Sequence, residues 1–118
     1  MKEYMILAFP DGDHLESLTP AEKQKHLDRV MAYLEDLDHK GKLKSAQPLA
    51  NAGRRITGKK GVTTDGPFVE TKESVAGYFH ILADSMKDAT QIARANPLFD
   101  LELGGRLEVR PIGNVNQA

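Results

Sequence analysis

The chain has 118 residues with 16 Lys+Arg against 17 Asp+Glu, and a formal net charge of -1. That length suits one domain with a modest core, and the balanced charge gives no broad attraction to nucleic acid or to an anionic membrane. There is no cysteine, so disulfides, thiolate nucleophiles and iron–sulfur ligation are excluded together, and no apolar run approaches the ~20 residues that span a bilayer.

Lys2 to Phe9 is a short apolar run closed by Pro10-Asp11-Gly12, the punctuation of a first strand ending in a loop. With no small-residue cleavage site before its acidic continuation, it reads as a strand and not a signal peptide, so a cytoplasmic protein is expected. Thr19-Pro20-Ala21-Glu22 announces a helix: Thr to cap, Pro for the first turn, Glu three residues on for a capping box. Leu27, Val30, Met31, Leu34 and Leu37 then recur at helical spacing as an apolar stripe, ending near Gly41.

Leu43 to Ala50 and Arg54 to Thr64 look like strands, the second folded back at Gly58-Lys59-Lys60-Gly61 as a hairpin. Ser74 to Ala83, rich in Val, Tyr, Phe and Ile, is the strongest strand pattern. Ser85 caps a second helix carrying Met86, Ala89, Ile92 and Ala93, which Asn96-Pro97 stops. Gly104-Gly105 opens a last strand, "RLEVRPI". The order describes one α+β domain over residues 1–118.

The strands also predict an assembly. Tyr4, Ile6 and Ala8 alternate with Met5, Leu7 and Phe9, and Val75, Phe79 and Ile81 alternate with Ala76, Tyr78 and Leu82. Apolar residues on both faces imply that both are covered. Two helices cover one face, and a second copy of the chain is the natural cover for the other, giving a homodimer.

The run Asp65-Gly66-Pro67-Phe68, followed by Glu70-Thr71-Lys72-Glu73 and Gly77-Tyr78, together with the opening "YMILAF" and the closing "EVRP", resembles the DGPF-domain branch of the YCII-related proteins over nearly the whole chain. The resemblance implies an antiparallel, ferredoxin-like sheet of the dimeric α+β barrel type, with two helices on one face and an added hairpin. It implies no established activity. Some members lie beside genes for extracytoplasmic-function sigma factors, and one enzyme type in the wider group removes chloride from a chlorinated aromatic ring. There a His on the first helix and an Asp before a Pro, after the second helix, form the catalytic pair. Carried over, the His falls on His26 and the Asp-Pro on Asn96-Pro97. An amide can orient an imidazole but cannot stabilise an imidazolium by charge, which departs from that chemistry.

Each candidate has a structural reading beside its functional one. Gly66 and Pro67 suit a tight reversal, while Asp65 can stand at the mouth of a cleft between subunits as a hydrogen-bond acceptor or base. His26 makes a row with Val30, Tyr33 and Leu37 on the border of the stripe, either half-exposed and solvated or leading into a pocket. His80 shares a strand face with Tyr78 and Leu82 and reads first as a packed or interfacial residue. Asp11 to His14 lacks a second cluster at ligand spacing, so no metal is expected and no cofactor is implied. The basic "RRITGKKG" has no aromatic platform and no phosphate-loop spacing, and reads as a solvated, edge-protecting hairpin, with nucleic acid and membrane excluded as partners. Arg106 and Arg110 flank Glu108 and can pair with carboxylates or bind an anion.

Three functions stay open. One is a small-molecule site in a dimer cleft, with His26 and Asp65 as acid–base groups and Tyr33, Phe68, Tyr78 and Asn96 around the ligand, the enzyme either lyase-like or dehydrochlorinase-like. Another is a regulatory module working with an extracytoplasmic-function sigma factor, whose mark would be an apolar patch left exposed after dimerisation. The third is a dimeric scaffold whose site is vestigial.

Overall fold

In the computed structural model, the structure describes residues 1–9, 18–50, 52–58, 60–66, 75–101 and 105–113. Chain order runs β1 (Lys2–Phe9), α1 (Pro20–His39), β2 (Leu43–Pro48), β3 (Arg54–Thr57), β4 (Val62–Asp65), β5 (Gly77–Ala83), α2 (Met86–Arg94), a 3₁₀ turn (Pro97–Leu101) and β6 (Arg106–Pro111). Four strands form one antiparallel sheet in the order β2-β5-β1-β6, and β3 and β4 pair separately as a hairpin. Each helical crossover skips one strand: β5 lies between β1 and β2, and β1 lies between β5 and β6. That doubled split βαβ is the ferredoxin-like arrangement.

The helix ends are built as their sequences require. The Thr19 hydroxyl accepts from the Glu22 N–H at 3.1 Å while Glu22 Oε1 accepts from the Thr19 N–H at 3.0 Å, completing the capping box. At the other end Gly41 takes φ +69. The Lys42 N–H returns to the Leu37 carbonyl and the Gly41 N–H to that of Asp38, at 2.9 and 3.0 Å. This pairing uses a left-handed residue that glycine supplies without strain. The Ser85 hydroxyl caps α2 by accepting from the Asp88 N–H at 3.2 Å.

The core lies between the helices and one face of the sheet. Tyr4, Ile6, Ile81 and Ala83 meet Leu37 of α1 and Ala89 and Ala93 of α2. The small residues of α2 let its backbone approach the strands closely. The register pairs Tyr4 with Ile81 and Ile6 with Phe79, which puts those side chains on the helix side.

Alternation sends Met5, Leu7, Tyr78, His80 and Leu82 to the opposite face, which no described helix covers. All five are half-buried. Charged pairs rim this face. Glu3 accepts from Lys44 at 3.0 Å and meets His80 Nε2 at 2.9 Å. Hydrogen bonds from Lys44 first, then from His80, hold its carboxyl below the usual range. Glu108 accepts from Arg110 and Arg106 at 2.7 and 3.0 Å, which lowers its pKa likewise. The Arg106 guanidinium also lies 4.3 Å above the ring of Phe9.

Some boundaries differ from the sequence reading. β2 ends at Pro48 and not at Ala50, and Pro is tolerated there because β2 is an edge strand. β5 begins at Gly77, after Ala76 has hydrogen-bonded Ala8 and Leu49 without strand geometry, while Ser74 lies outside the described residues. β4 extends one residue further, to Asp65. The α1 stripe is the larger correction: of its five apolar residues only Leu37 is buried, while Leu27 and Met31 are 51% and 49% exposed. The inward row is His26, Val30, Tyr33 and Leu37, read from the sequence as the stripe's border.

Candidate functional site

The rotation of α1 has a consequence at its N-terminal half. Below it the sheet and its approach present Ala8, Ala46, Ala76 and Gly77, residues too short to reach the helix. Ala8 and Gly77 are cross-strand partners, so the low floor is continuous across β1 and β5. A Cβ at Gly77 would sit 3.1 Å from the Gln47 carbonyl oxygen, so the close approach of β2 favours glycine there. The result is a cleft of about 710 Å³, the size of a small-molecule site.

Its walls are apolar. α1 contributes Leu27, Val30, Met31 and Leu34, the segment before it Leu18, and the 3₁₀ turn Leu98. The polar side chains among the described lining residues are Lys23, His26, Gln47, Tyr78 and Asn96. No described lining residue is an Asp or Glu.

His26 and Asn96 therefore border one cavity. His26 is half-buried on the inward row of α1. Asn96 is buried, at 3% exposure, at the corner where α2 gives way to the 3₁₀ turn. Its Oδ1 accepts from the Leu98 N–H at 2.9 Å, a local turn that fixes which way the amide faces. Its Nδ2 has no hydrogen-bond partner among the described residues.

Tyr33 is committed to the core instead of the cleft lining. Its hydroxyl donates to the Ile92 carbonyl at 2.6 Å, and its ring meets Phe79 edge-on with centroids 6.0 Å apart. Burial pushes its pKa up to about 12, opposed in part by the neighbouring Asn96 amide. Tyr33 thus ties α1 to α2 directly behind the cavity. Tyr78 borders the cleft, but strand alternation turns its ring to the open sheet face with His80.

Asp65 does not join these residues. It ends β4 on the hairpin, its side chain 73% exposed and paired with Arg54 at 2.8 Å. Phe68, the Glu70–Glu73 run and the Asp11–His14 loop lie outside the described residues. Among the described residues no group of three or more His, Asp or Glu is placed to hold a metal ion, and no helix is long and apolar enough to cross a membrane. Lys23, Gln47 and Leu98 were not singled out from sequence. Only Lys23 had a signal, standing one turn before His26 on the same side of α1.

The fold and the cleft define a class: a ferredoxin-like α+β domain with a ligand-sized cavity between its first helix and its sheet. The chain belongs to the YCII-related family, whose domain model matches residues 2–114. An uncharacterised protein of Rhizobium meliloti is 34% identical over 121 residues, covering 92% of this chain and 90% of that one. Among solved structures, the chain resembles the 5-chloro-2-hydroxyhydroquinone dehydrochlorinase of Burkholderia phenoliruptrix, in complex with 2,5-dihydroxybenzoquinone. The TM-score is 0.57 at 15% identity, covering 98% of this chain and 97% of the other. At that identity the likeness speaks for the fold.

Proposed function

We propose that this protein binds an apolar small molecule in the cleft beneath residues 23–34 of α1, with His26 as the group that engages its polar part. The observation that carries this reading is a cavity of about 710 Å³ with an almost wholly apolar wall, into which the fold brings His26 and Asn96 together. Few polar groups among many apolar ones orient a ligand without forfeiting its burial. A structural likeness to a dehydrochlorinase complexed with a quinone supports the same class of site. His26 is its acid–base group in any turnover, and Asn96 and Tyr33 hold the corner against which it works. The Asp-Gly-Pro-Phe run supports assignment to the DGPF branch of the family.

In this reading the working form is a cytoplasmic homodimer closed over the sheet face that carries Met5, Leu7, Tyr78 and Leu82. Asp65, exposed on its hairpin, is then the carboxylate that faces a partner copy. The test is native mass spectrometry of protein purified gently from its host. We expect a dimer mass with a stoichiometric small-molecule excess, and we expect His26→Ala to lose that excess while its thermal midpoint stays near that of the parent. Loss of folding in His26→Ala with unchanged ligand retention would make His26 structural.

A regulatory module acting with an extracytoplasmic-function sigma factor is the second reading. It is favoured by the hairpin, where Ile56 and Val62 are 68% and 59% exposed. A bare dimer in the same spectrum would move the account to it.

A further inference from the structure

We propose that the ligand is an amphipathic monoanion, a carboxylate carried on an unbranched apolar chain. This rests on the cleft being a binding site and adds the chemistry it selects.

The first argument is charge. Lys23 and His26 are the side chains in the described lining that can carry positive charge, and no described lining residue is an Asp or Glu. Asn96 supplies no counter-charge: the amide is neutral, and its oxygen is taken by the Leu98 N–H. An ammonium ligand would meet the like charge of Lys23 and no carboxylate among the described lining residues. A carboxylate finds Lys23, a compact ammonium on a flexible stem, with the His26 imidazole three residues along the same helix face. A phosphate or dicarboxylate would bring more charge than one lysine offsets.

The second argument is order along the helix. From Lys23 to Leu34 the lining side of α1 runs roughly 16 Å at the rise of an α-helix. Its polar members stand at the N-terminal end, and Leu27, Met31 and Leu34 follow. Along the α1 wall polarity thus changes once, from one end to the other, which matches a head and a tail, while Gln47, Tyr78 and Asn96 stand on the facing walls. The half-exposed Leu27 and Met31 are also the side chains with most apolar surface left to bury.

Isothermal titration of the full-length protein with decanoate and with 1-decanol tests this, because the two share a chain and differ in the head. Decanoate is expected to bind about tenfold more tightly than 1-decanol. That preference should shrink as salt is added, since the head stays near solvent. In Lys23→Glu the preference should vanish through loss of decanoate affinity, with 1-decanol unchanged; Lys23→Gln gives the neutral control. Equal affinity for both, unmoved by Lys23→Glu, would overturn the monoanion and leave the cleft standing. Failure of both probes, alongside a native mass that carries a small molecule, would likewise overturn the ligand class alone. Failure of both with a bare native mass would overturn the cleft reading as well.

Discussion

The two halves of α1 share a helix and a composition but differ in what lies beneath them. The C-terminal half closes on the sheet: Leu37 is 4% exposed, and Tyr33 reaches across to the α2 backbone. The stretch from Lys23 to Met31 carries equally apolar residues, yet Leu27 and Met31 remain about half exposed. The difference lies in the floor. Ile6 and Ile81 rise to meet the packed stretch, while Ala8, Ala46 and Gly77 fall short of the other. One stretch of the helix therefore holds the fold, and the next stands available for a ligand.

The largest expected contrast between the halves is in stability. Ile81→Ala removes a fully buried side chain and should cost about 3 kcal/mol in chemical denaturation, the sum of lost transfer energy and the cavity left behind. Leu27→Ala, at a half-exposed site, should change stability by less than ~0.5 kcal/mol. Comparable losses at the two positions would mean that the N-terminal half is packed after all, and the comparison would fail.

A smaller effect separates Tyr33 from the cleft. Its native pKa of about 12 stands above the ordinary value of 10.0, so the folded state keeps the phenol proton after the unfolded chain has lost it. This contribution to stability is complete below pH 10 and is lost as pH rises toward 12. Thermal melts across that window should show a decline that Tyr33→Phe blunts, because Phe has no proton to lose. An identical decline in Tyr33→Phe would assign it to other groups.

Much of the scaffold was legible because its signals are local. Thr19 with Glu22 forms the expected capping box, and Gly41 terminates α1 where a left-handed residue was needed. Period-two alternation in β1 and β5 separated the two faces of the sheet, and the described helices lie on one of them. The direction α1 faces was not local. The sequence shows an apolar stripe, but which row turns inward depends on the height of the residues opposite. Those come from β1, from β2 and from the start of β5, and only strand register brings Ala8 beside Gly77. The cleft was hidden for the same reason, being made by small residues from separate segments. His26 and Asn96 were named through family resemblance, and their shared cavity is a product of tertiary structure. Asp65 shows the converse: a distinctive local run gave it prominence, while the fold sets it on an exposed hairpin in an ion pair with Arg54.

The most direct test is a pair of native masses, the parent protein beside Ala8→Leu. The isobutyl side chain would rise from the floor into the cavity without disturbing the packed part of α1. We predict that the parent carries a stoichiometric small molecule and that Ala8→Leu is bare at an unchanged thermal midpoint. An undiminished mass excess on Ala8→Leu would place the ligand elsewhere and contradict the account.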